Sequence, residues 1–234
     1  LPMCVIRRMD AVLEPTKPQV LETKKMLDDA QITEQRAALC DALDAVDPSA
    51  PTLCEGWTAH HLAAHVWLRE NEFINSLGFF APKFEARTEA RVAELEEQLQ
   101  YGELVDLVRH GPPRFSLFAL PGADEAANGV ELLIHGMDVR RPNGIAEPDR
   151  GPDFDAWVWK RLNGIASMML RKPPVAVVLQ WAGHPDKTVR VGQGDRIVTV
   201  VGAPIELLLY ASGRREAADV ELIGLESALA ELAA

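Results

Sequence analysis

Glu131 and His135 stand four residues apart in NGVELLIHGMDVRRP, and His65 closes the string GWTAHHLAAH. A carboxylate and an imidazole at i and i+4 share one helical face, so with one imidazole from another helix they supply three ligands to a divalent metal ion. Three protein ligands leave a coordination position open, which is the arrangement of a reactive centre rather than a structural one. At about 100° per residue, Asp124, Asn128, Glu131, His135 and Asp138 fall on one helical face. Such a stripe also reads as a solvated polar face; Leu132 and Val139 on its flanks speak against that. His61, one turn before His65, could replace or join it, and His60 competes on the same helix. His110 and His184 sit beside loop signals and read as surface residues.

The elements that must position these groups follow from periodicity. Residues 1–30, with Pro15, Pro18, Lys24 and Lys25, read as a lead-in segment. ITEQRAALCDALDAV places Leu39, Leu43 and Val46 at helical spacing before Asp47, Pro48 and Pro51 stop the helix. Thr58 suits the N-cap of a helix to about Leu77. Residues 87–109 predict one helix interrupted at Gly102, and the next runs from near Asp124 until Pro142 ends it. A further helix over Phe154 to Leu170 stops at Pro173 and Pro174.

Beyond Pro174 the pattern turns extended: PVAVVLQW, TVRV and RIVTVV are short runs rich in β-branched residues. Gly192 to Asp195 suggests a hairpin joining the second run to the third. Ala203 to Tyr210 is a short helix, ADVELIG a fourth strand and LESALAELAA a closing helix. The expected organisation is a lead-in (1–30), a helical bundle (31–172) and a small α+β domain with an antiparallel sheet (173–234).

Composition narrows the function. The chain has 35 acidic against 24 basic residues, a net charge of −11, which repels nucleic-acid phosphates and anionic lipid. No apolar run reaches the length of a membrane span and the first residues lack a signal-peptide pattern, so the expected location is cytoplasmic. Cys4, Cys40 and Cys54 form no CxxC pair, which predicts reduced thiols without a cysteine-based zinc site. Cys54 reads as a small buried hydrophobe.

GWTAHHLAAHV resembles the N-terminal metal-binding motif of the mycothiol-dependent maleylpyruvate isomerase family, within the DinB-like superfamily, where a Trp starts a helix and a His eight residues later binds metal. His65 holds that place relative to Trp57. NGVELLIHGMDVRRP is similar to the family's second motif, with Glu131 and His135 at its Glu and His, and GAPIELLLYASGRREAADVELIG is similar to the sterol-carrier-like domain attached to these bundles, with Arg214 at the Arg of its SGR segment. The likeness runs from about Gln31 to the end. It implies a DinB-like four-helix bundle followed by the α+β domain, and zinc or a similar divalent ion held by His65, Glu131 and His135. The fourth position is left for water or a thiol, mycothiol in this family.

Under that resemblance Arg214 would steady an anionic substrate, its alternative being an arginine that covers a helix end or pairs with an acid. Asp138 would orient a metal-bound imidazole, which usually donates its second N–H, and Asn128 could do similar work. Gly136 stands where relatives often carry a second His, so the isomerase reaction itself is not carried over. The leading expectation is a metal-dependent protein that activates a low-molecular-weight thiol for transfer or isomerisation of a small electrophile. A ligand- or partner-binding module braced by a structural metal and a metal-dependent hydrolase are the alternatives.

Overall fold

The computed structural model describes residues 17–79, 81–113, 123–148, 150 and 152–233, with 17–29, 123–127 and 152 described in backbone only. Six helices come first: α1 (Lys17–Asp44), α2 (Ala59–Asn71), α3 (Glu85–Gln98), α4 (Tyr101–His110), α5 (Ala123–Arg140) and α6 (Pro152–Met169). The first begins at Lys17, inside the segment read as a lead-in. Pro18 does not prevent this, because the first turn of a helix has no use for the missing N–H. Thr58 caps α2 as expected, its Oγ1 accepting from the His61 N–H at 3.2 Å. That helix ends at Asn71 rather than Leu77, and a 3-10 turn over Asn75–Phe79 follows. The interruption expected at Gly102 falls earlier, where Leu99 (φ −120°, ψ 136°) and Gln100 are extended and separate α3 from α4.

Helices α1, α2, α3, α4 and one face of α5 close around a core that includes Leu39, Leu43, Leu62, Leu95, Leu104 and Leu132. Buried charges stitch this bundle together. Arg36 of α1 makes two bonds of 2.8 and 2.7 Å to Glu70 of α2 and a third, of 2.9 Å, to the Val108 carbonyl of α4.

The second half holds β1 (Ala176–Trp181), β2 (Thr188–Val191), β3 (Ile197–Gly202), α7 (Pro204–Ala211), β4 (Glu221–Gly224) and α8 (Glu226–Ala233). The sheet order is β2-β1-β3-β4, and β1 pairs in parallel with β3, so the sheet is mixed rather than antiparallel. The expected hairpin between the second and third runs does not form: β2 returns along one side of β1 and β3 takes the other. The chain crosses the entry to β1 at Gly192, whose φ of +87° and close approach to the Val175 carbonyl and Ala176 Cα leave little room for a side chain. The same glycines that suggested a hairpin make a tight crossover.

Helix α6 packs on α7 and the sheet, and a second core joins Leu133 and Met137 of α5 to Val158, Leu162, Leu179 and Val200. The expected division at 172/173 therefore falls within one continuous apolar core. Helix α5 is lined on two faces by different cores, which fixes its rotation. Among the described residues no helix is long and apolar enough to cross a membrane.

Candidate metal centre

One donor atom each from His65, Glu131 and His135 lies within 4.8 Å of the other two. The 48–58 segment prepares α2 for this. Thr52 Oγ1 donates to the Trp57 carbonyl (3.0 Å), and Gly56, at φ +78°, lets the chain turn back. This sets the Trp57 ring 4.7 Å from the His65 ring, while Phe79, delivered by the 3-10 turn, packs at 4.1 Å. His65 is 6% exposed and its Nδ1 has no hydrogen-bond partner. Burial and the neighbouring His135 push its pKa well down, so its nitrogens are available as donors.

On α5, His135 is oriented from behind. Its Nδ1–H donates to Asp138 Oδ2 at 2.9 Å, and its Nε2, 3.4 Å from Glu131 Oε2, is buried without a hydrogen-bond partner. An orphaned buried nitrogen is costly, and a divalent ion between His135 Nε2 and Glu131 Oε2 would satisfy it with a donor set zinc accepts. Burial lowers the His135 pKa, but the bond to Asp138 and the nearby Cys54 and Glu131 side chains outweigh it and raise it. Burial raises Glu131, and the His135 contact and the charge of Arg69 more than reverse this, holding it at about 2. Asp138 is likewise raised by burial and brought to about 2 by His135 and Arg214.

The polar stripe of α5 is not a wet surface: Asn128 and Asp138 are 0% exposed. The structure splits it. Glu131 and His135 face the cavity, and Asp138 lies behind His135. Asn128 instead binds Arg69, accepting from its guanidinium, and donates to Glu70 Oε1 at 3.2 Å. Asp124 lies outside the described side chains. His61 points to α3, with Nδ1 3.2 Å from Glu96 Oε2, and His60 stacks edge-on against Tyr101, so neither joins the three donors.

Arg214 reaches across from the C-terminal half. Its Nε and NH2 donate to the two oxygens of Asp138 at 2.9 and 2.7 Å, and NH2 lies 3.1 Å from Cys54 Sγ. The acid-pairing alternative for Arg214 and its position beside the centre hold together. Cys54 departs from its expected role: it is half-buried and sits 3.2 Å from Asp138 Oδ2, because the 52–57 turn faces Arg214. A cavity of about 650 Å³ opens over the three donors and is flanked by Arg69, Cys54 and Arg214. Sequence reasoning passed over Arg69, although it follows His65 by one helical turn, the spacing that singled out Glu131 and His135. Gly136 faces away: a Cβ there would meet the Arg140 guanidinium, which donates to the Ala38 carbonyl of α1.

Comparison with known proteins agrees with this architecture. Residues 30–130 match the family model described as the mycothiol maleylpyruvate isomerase N-terminal domain; the match takes in His65 and ends one residue before Glu131. No curated protein sequence matches the chain. Among solved structures, the crystal structure of the mycothiol-dependent maleylpyruvate isomerase superposes with a TM-score of 0.58 at 18% identity, covering 85% of this chain and 92% of that one. A histidine-to-alanine mutant of that enzyme gives 0.54 at 19% identity with the same coverage. The shared fold extends beyond the matched N-terminal region to the sheet-bearing half.

Proposed function

We propose that this chain is an enzyme that binds a divalent metal ion, most simply zinc, through His65, Glu131 and His135 and uses it to activate a low-molecular-weight thiol, mycothiol, for isomerisation of a small electrophile or for sulfur transfer to it. The observation that carries this reading is the convergence of three donors, two of them buried imidazoles with orphaned nitrogens, at the floor of an open cavity. A bound divalent ion lowers the pKa of a thiol and keeps it as the nucleophilic thiolate near neutral pH. The protein's own residues do the rest. Asp138 fixes the His135 ring and its tautomer; Trp57 and Phe79 hold the His65 ring and keep water off it. Arg214 places a cation beside the centre for an anionic group of the substrate or for charge that develops during attack. The C-terminal half, in this reading a sterol-carrier-like domain, serves as the platform that presents Arg214.

Metal analysis of the purified protein and of His65→Ala, Glu131→Ala and His135→Ala, followed by titration with mycothiol, tests this. Near-stoichiometric divalent metal in the wild type, severe loss in each variant and metal-dependent thiol binding are expected. Variants that keep their full metal content would remove the assignment.

A further inference from the structure

Helix α6 stops at Met169, and two of the six residues that carry the chain to β1, Arg171 (φ 26°) and Lys172 (φ 47°), both have positive φ. They are the only non-glycine residues with positive φ among those described. Helices commonly end on one such residue, usually glycine, because a Cβ is strained there. Pro173 narrows the choices of Lys172 further. A side chain kept where glycine would be easier is an observed strain that invites a functional reading.

Arg171 is exposed and lines the same cavity as the three donors. The other two arginines of the cavity are engaged: Arg214 with Asp138, Cys54 and the Ser212 carbonyl, and Arg69 with Asn128. Arg171 makes no ion pair or side-chain hydrogen bond with any described residue. Beside it the lining turns apolar, with Met168, Met169 and Ile134, and Met168 remains 65% exposed. Solvent-facing methionines make an adaptable apolar wall.

We infer that Arg171 is a specificity residue, taking the anionic group of a ligand at the cavity mouth, and that the electrophile is an anion with an apolar body which lies against Met168 and Met169. This rests on the thiol-and-electrophile reading above. A compact, doubly charged substrate would leave the methionine wall unused.

The zinc-loaded chain can be titrated calorimetrically with hexanesulfonate, whose anion is a poor metal ligand, and with methanesulfonate and hexanol, which each carry one half of its chemistry. Hexanesulfonate should bind at least about tenfold more tightly than either. Arg171→Gly should weaken it about tenfold while keeping or raising the melting temperature, since glycine relieves the strain; Arg171→Lys should retain most of the binding. A merely structural Arg171 would not give weaker binding together with equal or greater stability. Equal affinity for the three probes, or unchanged hexanesulfonate binding in Arg171→Gly, would overturn the inference. Zinc content and mycothiol binding, read on the same samples, separate that result from a failure of the metal-centre reading.

Discussion

Asp138 carries more of the centre than any residue that would touch the ion. Its carboxylate holds the His135 ring at 2.9 Å, takes both Arg214 bonds and meets the Cys54 thiol, all at 0% exposure. Asp138→Asn keeps the shape and an acceptor but removes the charge that polarises the imidazole. Metal affinity should fall roughly 10- to 100-fold, measured by competition with a chelator, while the circular dichroism spectrum is retained. Cys40 gives a pH signature away from the site. Burial raises its thiol from 9.0 to about 11, with Arg109 and Arg36 pulling weakly the other way. The fold therefore favours the neutral thiol, and the contribution is whole below pH 9 and is lost as pH rises towards 11. The loss amounts to roughly 2 to 3 kcal/mol. Cys40→Ala should flatten that part of the stability profile in denaturant titrations from pH 8 to 11, and an unchanged slope would contradict it. At this scale the shared face of Glu131 and His135 was legible because i, i+4 spacing is local information. The contact of Cys54 with Asp138, and the guanidinium of Arg214 that both share, join residues distant in sequence, and nothing local announces them.

Among the elements, the bundle depends on charge as well as on leucine. Glu70 is 2% exposed and Arg36 neutralises it across the α1–α2 contact, and the same carboxylate supports Asn128 and through it Arg69. Removing one partner strands a buried charge, so Arg36→Met should cost roughly 3 to 5 kcal/mol. Adding Glu70→Leu should recover much of that, and the cycle is read by urea unfolding. Additive losses would mean the pair is not coupled. Helix identities and most ends were readable from periodicity, prolines and the Thr58 cap. The parallel pairing of β1 with β3 was not, because adjacent extended runs with a glycine turn ordinarily form a hairpin, and only the crossing at Gly192 over the entry to β1 reveals the alternative. The start of α1 was missed because Pro15, Pro18 and the charged stretch at Lys24 and Lys25 were read as a lead-in segment, whereas Pro18 stands in the first turn of the helix.

For the molecule as a whole, the two halves meet on α5, whose opposite faces fill two different cores. The Arg141 guanidinium at its end reaches Glu206 of α7 at 2.9 Å, and the Asp138 backbone carbonyl accepts from the Leu53 N–H at 3.0 Å. The lasting consequence lies in the single carboxylate that answers both to an imidazole of the triad and to the guanidinium from beyond α7. Coupling of this kind runs equally in both directions. A ligand that fixes His135 more firmly would also tighten the seam between the halves, and whatever pries that seam open would loosen that ligand by the same factor.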